Sequence, residues 1–171
     1  MGPGLAYSRL LRLRSGPELV QPNLLLECDL CVSWKLTPDF AYEFQLRTDV
    51  RWQNVSPVDG RALVAEDLVF SYGRMRTPGW ANASSFASIG DIEATGPYTL
   101  RVGLASSDAD ALLSLADGHS KIVAREVVEQ YGDLRGSPVI GTGPWLWEGT
   151  ETGIGTTFSR NPDYFEEGLP F

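Results

Sequence analysis

The sequence predicts a mixed α+β fold, a largely antiparallel sheet with packed helices, from three observations. Residues 42–47 alternate apolar and polar side chains, residues 65–75 repeat apolar side chains at intervals of three and four, and residues 89–104 form two alternating runs around a turn. These periods are typical of a half-buried strand, an amphipathic helix and a hairpin. Hairpins interspersed with single helices favour an antiparallel sheet over a doubly wound parallel one.

Composition and charge are those of an ordinary globular domain. The chain has 171 residues, of which 43% are hydrophobic and 21% charged, so its length fits one domain. Its formal net charge of −8 argues against a nucleic-acid partner, because phosphate contacts need clustered Lys and Arg. No stretch is long and apolar enough for a transmembrane helix. Leu5 to Leu13 is interrupted by Arg9 and Arg12, so no signal peptide is predicted in this chain.

The N-terminal region is predicted to contain short extended pieces. Residues 5–13 are expected to pass from the end of a helix into a strand, and Ser15-Gly16-Pro17 to form a turn. Residues 24–34, which follow Pro22-Asn23, are apolar and are expected to be buried extended or loop structure. Trp34 is expected to be a core aromatic, since large aromatic side chains are mostly buried.

The central strand carries Tyr42, Phe44 and Leu46 on the face that we expect to be buried. Residues 50–52 are predicted to be a second extended piece. Asp59-Gly60 supplies the dipeptide that a tight turn with positive φ requires.

A helix is predicted from Ala65 to Met75. Glu66 and Asp67 lie in its first turn, where the helix dipole favours negative charge. Val64 stands at the expected N-cap and has no hydroxyl to accept a backbone hydrogen bond.

The second half continues with alternating helices and hairpins. The sequence predicts a loop or short helix over 82–88, a hairpin over 89–104, a brief strand over 121–124, and a final hairpin with arms at 145–148 and 156–160. Helices are predicted over 108–116, opened by Asp108 or Asp110, and over 125–131. Asn161-Pro162-Asp163 is expected to be a turn.

Cys28 and Cys31 form a Cys-x-x-Cys pair. A closed zinc site needs four ligands and His119 is the only other soft candidate, so no metal site is predicted. We expect two free thiols, with a local disulfide as the second interpretation. A catalytic redox pair, which would lie at a helix N-terminus, is the third.

Motifs for catalysis or cofactor binding are not recognisable. Gly141-Thr-Gly143 and Gly153-Ile-Gly155 do not complete a phosphate-binding loop, and His119 has no nucleophile motif beside it. The acidic residues lie where helix caps and solvated faces account for them. We therefore expect no catalytic residue, no cofactor and no enzymatic activity.

The order of several motifs resembles the extracytoplasmic solute-binding proteins, family 5, which are peptide-, dipeptide- and nickel-binding receptors of bacterial ABC importers. The matching stretches are Tyr-x-Phe-x-Leu-Arg at 42–47, Val-Arg-Trp at 50–52, Asp-Gly-Arg-x-Leu at 59–63, Ala-Glu-Asp-Leu-Val at 65–69, Ile-Gly-Thr-Gly-Pro-Trp at 140–145, and Arg-Asn-Pro-Asp-Tyr-Phe at 160–165 with Gly168 and Pro170. Val64 replaces the usual Thr, residues 54–58 look like an insertion, and members of the family are much longer.

The resemblance implies part of a type II periplasmic-binding-protein-like fold, with residues 1–171 as a single incomplete unit. Residues 23–137 would form a small accessory domain, and residues 1–22 and 138–171 would belong to the first ligand-binding lobe. The implied function is non-catalytic capture of a peptide or similar small solute outside the cytoplasm, in the periplasm or at the cell surface, for delivery to an ABC permease.

By position against the family, four residues are candidates for contact with ligand: Trp80, His119, Lys121 and Trp145. The alternative for each is structural, as a loop aromatic, a polar loop residue, a surface charge and a core aromatic respectively. The alternative for the chain is an orphan truncated domain with a structural or interaction role. Self-association is expected where the missing lobe leaves apolar surface uncovered.

Overall fold

The computed structural model of the chain describes residues 3–16, 24–132 and 134–168. Pro17, Pro22-Asn23 and Pro170, which enter the predicted turns, the predicted domain boundary and the family motif, lie outside the described residues.

The described secondary structure is mixed, as the sequence predicts. The strands are β1 Leu11–Leu13, β2 Leu26–Cys28, β3 Cys31–Leu36, β4 Ala41–Leu46, β5 Ile89–Gly96, β6 Thr99–Leu104, β7 Trp145–Glu151 and β8 Gly155–Arg160. The helices are α1 Ala65–Met75, α2 Ala111–Ala116 and α3 Arg125–Tyr131, with 3-10 helices at Pro3–Ala6 and Ala83–Phe86. Among these strands every pairing is antiparallel: β1 with β2, then β3, β4, β6 and β5 in one sheet, then β7 with β8. The predicted α+β class with an antiparallel sheet is confirmed.

The chain divides into two compact units. The first unit comprises Met1–Ser8, Thr48–Leu63 and Lys121–Phe171, and so carries α3 and the β7–β8 hairpin. The second unit comprises Arg9–Arg47 and Val64–Ser120, and so carries the sheet of β3 to β6 with α1 and α2.

The sheet of the second unit is built on β4, whose alternation places Phe44 and Leu46 in the core. Both side chains are buried, while Gln45 between them is exposed. Phe44 pairs with Trp34 of β3 and with Leu100 of β6, so the central apolar face continues across three strands. Trp34 itself is half-buried and stacks on Phe44 with ring centres 6.4 Å apart.

Helix α1 has the bounds that the apolar spacing predicts. Leu68 and Tyr72 are buried, and the helix packs against β5. Val64 is the N-cap and makes no side-chain cap bond, but its N–H donates to Oδ2 of Asp67 at 3.0 Å. The Asp67 carboxylate therefore supplies half of a capping box in which the hydroxyl half is missing.

The turn of the first unit at Asp59-Gly60 is also confirmed, since both residues have positive φ, 53° and 69°. Residues 50–52 do not form a strand. The only pairing described there is an isolated bridge between Arg51 and Ala62, although Val50 and Trp52 are buried.

One predicted element of the second half was wrong. No strand forms at residues 121–124: Ile122 donates to the carbonyl of Ser8 at 3.0 Å, and residues 122–124 are buried, so the apolar pattern there reflects burial without sheet pairing. Helix α2 is confirmed with Asp110, the second of the two predicted opening residues, as its N-cap. The Asp108 carboxylate accepts the N–H of Asp110 at 2.9 Å in the turn that precedes the helix.

The prediction of free thiols at the Cys-x-x-Cys pair was also wrong. Cys28 and Cys31 are joined by a disulfide, with Cα atoms 5.0 Å apart, between the end of β2 and the start of β3. Leu24 and Leu25 ahead of this pair are 60% and 45% exposed, so the apolar run from residue 24 is not buried at its beginning. The core residue of this region is Leu30, which the disulfide loop encloses.

Candidate ligand-binding site

Trp80, the first residue proposed from the sequence, lies in the segment that follows α1. Its side chain is 45% exposed, and the guanidinium of Arg74 lies 4.2 Å from the centre of its ring. A cation at this distance is attracted by the aromatic quadrupole. The ring is therefore held at the surface of the second unit by a residue of the helix that precedes it.

His119 lies in the same unit, in the turn after α2, and is paired with Asp117. The backbone N–H of His119 donates to Oδ1 of Asp117 at 2.8 Å, and ring Nδ1 lies 2.7 Å from the same oxygen. The backbone hydrogen bond from His119 is the main reason that the pKa of the Asp117 carboxyl lies below its ordinary value. Both side chains are exposed, so this pair presents one acid and one imidazole to solvent.

Lys121 and Trp145 belong to the first unit. Lys121 is half-buried, and its side chain runs beside Gly4, where a Cβ would stand 3.4 Å from Cε of the lysine. Trp145 opens β7 opposite Arg160 and is half-buried. None of the contacts described for these four candidates joins one of them to another, and their assignment to one ligand site stays a prediction.

The segment from Gly141 to Trp145 is held by hydrogen bonds to two other segments of the first unit. Gly143 donates to the carbonyl of Ala6 at 2.9 Å, and Asn161 donates from its backbone to the carbonyl of Pro144 at 2.9 Å. The side chain of Asn161 donates to the carbonyl of Gly143 at 3.0 Å. These contacts hold the main chain that leads into Trp145.

Gln53 was not singled out from the sequence, yet it makes four hydrogen bonds to this segment. Its backbone N–H donates to the carbonyl of Gly141 at 3.0 Å, and its side-chain Nε2 donates to the carbonyl of Trp145 at 2.9 Å. A glutamine between Trp52 and Asn54 has no pattern that distinguishes it from a surface residue. Its burial, with 3% of the residue exposed, is a tertiary property.

Among the residues that the structure describes, no cluster of three or more His, Cys, Asp or Glu side chains could hold a metal ion. Arg61 and Glu126 form a bidentate ion pair, in which Nε lies 2.5 Å from Oε1 and a terminal nitrogen lies 2.9 Å from Oε2. The hydrogen bond from Arg61 is the main cause of the lowered pKa of the Glu126 carboxyl. Within the same described ranges, every helix is too short or too polar to cross a bilayer.

Comparison with known proteins gives a consistent result. The profile of the bacterial extracellular solute-binding proteins, family 5 Middle, matches residues 26–170. Di/tripeptide-binding protein 2 of Pseudomonas aeruginosa is 27% identical over 180 residues, which cover 94% of this chain and 33% of that protein.

Solved structures of periplasmic binding proteins have a similar fold. MoaA of A. tumefaciens R10, in complex with mannopinic acid, is 30% identical with a TM-score of 0.78, over 95% of this chain and 32% of that one. DppA of Helicobacter pylori, in complex with the peptide STSA, is 24% identical with a TM-score of 0.79, over 95% of this chain and 35% of that one. The predicted periplasmic-binding-protein-like fold is confirmed, and the chain spans about a third of the length of these proteins.

Proposed function

The chain belongs to the bacterial extracellular solute-binding proteins, family 5, and from this we propose that it supplies part of a receptor that captures peptides or similar small solutes for an ABC importer. The observation that carries the proposal is the family match over residues 26–170, which includes most of both compact units. The relatives named for di- and tripeptides, and the structures bound to a peptide and to mannopinic acid, support a small polar solute as the ligand class.

The proposed contacts are Trp80, His119, Lys121 and Trp145. The exposed ring of Trp80 would pack on apolar parts of a ligand, and the ammonium group of Lys121 would pair with a carboxylate. Small-ligand sites commonly combine aromatic walls with a few such polar groups. The Asp117–His119 pair would add a hydrogen-bonding group whose acid is ionised at neutral pH.

The complete receptor would act without catalysis, outside the cytoplasm, and would deliver its ligand to an ABC permease. We propose further the division that the resemblance implies, with residues 23–137 as an accessory domain and residues 1–22 and 138–171 in the first ligand-binding lobe. The compact units differ from this division, because they group residues 48–63 and 121–137 with residues 138–171. A ligand enclosed between lobes is released when they open about a hinge, so the affinity of such a receptor depends on both walls.

The proposal is tested on the complete product of the reading frame that encodes this chain. That product is purified from the extracytoplasmic fraction under mild conditions and analysed by native mass spectrometry for bound solute. We expect a noncovalent adduct of peptide or small-solute mass that disappears on denaturation. A reading frame that ends at residue 171, with a secreted product that carries no adduct, would favour the orphan-domain alternative.

A further inference from the structure

The carboxamide of Gln53 makes three hydrogen bonds to one short stretch of main chain. Nε2 donates to the carbonyl oxygens of Trp145 at 2.9 Å and of Gly143 at 3.4 Å, and Oε1 accepts the N–H of Gly141 at 3.3 Å. Two donated hydrogens and one accepted hydrogen leave little unused capacity in the group. Together with the backbone N–H of Gln53, which donates to Gly141, one residue makes four hydrogen bonds to residues 141–145.

The stretch that receives these bonds is buried and does not lie in a strand until Trp145. Gly141, Thr142 and Gly143 are buried, and β7 begins only at Trp145. Buried backbone groups without a partner are costly, so they require either a ladder or a substitute for one. The side chain of Gln53 takes the place of a neighbouring strand here, since it presents an acceptor to the N–H of Gly141 and a donor to the carbonyls of Gly143 and Trp145.

Few side chains could replace Gln53 in these hydrogen bonds. An ionised carboxylate of the same shape would turn oxygen lone pairs towards two carbonyl oxygens, and a thioether of the same length would supply no strong hydrogen bond. A carboxamide one methylene shorter would not reach Trp145, Gly143 and Gly141 together.

We propose that Gln53 is a positioning residue that sets the main chain of Gly141–Trp145 and thereby the place of the Trp145 ring. Its significance for ligand binding rests on the proposed function, in which Trp145 contacts the solute. The positioning itself is a property of the free chain and is measured without any ligand.

The experiment compares Gln53→Met with Gln45→Met in the whole 171-residue chain. Gln45 is a matched control, because its Nε2 also donates to a backbone carbonyl, that of Tyr98 at 3.1 Å, but on the exposed face of the second unit. The readouts are the indole N–H signals of the tryptophans, assigned by single Trp→Phe variants, and amide hydrogen exchange at Gly141.

We expect Gln53→Met to move the Trp145 indole signal, to leave those of Trp34 and Trp80 in place, and to speed exchange of the Gly141 amide about tenfold through loss of its acceptor. Gln45→Met should change none of these. Unchanged Trp145 and Gly141 signals would overturn the proposal, as would equal movement of all indole signals, which would show general loosening.

If Gln53→Met does not fold, Gln53→Asn and the unaltered chain keep the test decisive. In the unaltered chain the two Nε2 hydrogens of Gln53 should exchange slowly with solvent, in contrast to those of Gln45. Rapid exchange of both side chains would refute the assignment. A failure of ligand binding in the complete receptor would leave this result intact, so the two proposals fail separately.

Discussion

The main chain of Gly141 lies so close to Ala6 that a Cβ built on residue 141 would stand 2.0 Å from the carbonyl oxygen of Ala6. A Cβ on Gly143 would stand 2.6 Å from the carbonyl carbon of Ala6. Neither distance is possible between non-bonded heavy atoms. The two glycines of the Ile-Gly-Thr-Gly-Pro motif are therefore required by a backbone contact with the N-terminal segment of the same unit, and not by a bound phosphate.

Gly141→Ala should consequently destabilise the chain severely. Insertion of a methyl group into a packed backbone contact forces a main-chain shift, and we expect a loss of about 3 kcal/mol in the free energy of unfolding. Urea denaturation measures it. Gly149→Ala is the control, because its added Cβ would meet no atom within 4 Å, and its effect should stay within about 0.5 kcal/mol. Equal losses in the two variants would contradict the contact.

Phe44 is expected to be a main contributor to the core of the second unit. It is fully buried at the centre of the sheet, and Phe44→Ala should lower the free energy of unfolding by about 3–5 kcal/mol. Leu36→Ala, on the neighbouring strand, is the control: Leu36 is 55% exposed and its loss should cost less than about 1 kcal/mol. A loss under about 1 kcal/mol for Phe44→Ala would show that β4 is not the centre of the core.

Val64→Thr should stabilise helix α1. The hydroxyl would complete the capping box that Asp67 already half forms, with a gain of about 0.5–2 kcal/mol. We expect a value near the lower end of this range, because the N–H of Asp67 already donates to the carbonyl of Val64 at 3.0 Å. Differential scanning calorimetry gives the change, and Val64→Ala serves as the control for loss of the side chain. An unaltered or lower melting temperature for Val64→Thr would contradict the cap.

Asp39 should titrate far below an ordinary aspartate. The hydroxyl of Thr37 donates to Oδ1 at 2.5 Å, and Arg101 donates to Oδ2 at 2.6 Å, which together lower the pKa of Asp39 from 3.8 to about 2. A lowered folded-state pKa means that the associated stability is present above pH 3.8 and is lost as the pH falls towards 2.

Carboxyl-carbon NMR during an acid titration measures the Asp39 pKa directly. Thr37→Val and Arg101→Met should each raise this pKa, because the hydroxyl of Thr37 makes the largest single contribution and Arg101 contributes both a hydrogen bond and its charge. Added salt should weaken only the Arg101 contribution, since the hydroxyl bond is not an ion pair. An ordinary pKa in the unaltered chain would show that the Thr37–Asp39–Arg101 cluster does not form in solution.

The 171-residue chain alone should bind no peptide with the affinity of a receptor. A solute enclosed between two lobes loses the contacts of the second wall and the exclusion of water when only one is present. A ligand at about a hundred times its dissociation constant stabilises a protein by roughly 2.7 kcal/mol. Thermal shift with mixed di- to pentapeptides should show no such gain.

Size-exclusion chromatography of the same samples tests for self-association. We expect it because a second lobe, when absent, would leave apolar surface uncovered near residues 145–171, and large apolar patches tend to find a partner. A saturable rise in melting temperature from a monomeric sample would contradict the prediction and place a complete site within these residues.

The class of the fold and most of its elements could be predicted because their signals are local. The alternation at residues 42–46, the three- and four-residue spacing from Ala65, and the turn residues Asp59-Gly60 each determine structure within a few positions along the chain. The same local motifs, in their order, were enough to indicate the family.

The candidate site was predictable only as a set of positions. Trp80 and His119 could be named from their place in the motif order, but their partners Arg74 and Asp117 follow from side-chain geometry. Whether the four candidates meet a ligand stays a prediction.

Most of the strands and helices follow from the sequence, since periodicity and turn chemistry act over a few residues. Tertiary structure alone decided the rest: the disulfide at Cys28–Cys31, the absence of a ladder at 121–124, the need for glycine at 141, and the role of Gln53. Gln53 and Gly141 are 88 residues apart and meet through a hydrogen bond of 3.3 Å. Such a contact depends on how distant segments pack, and the spacing of apolar residues along the sequence does not reveal it.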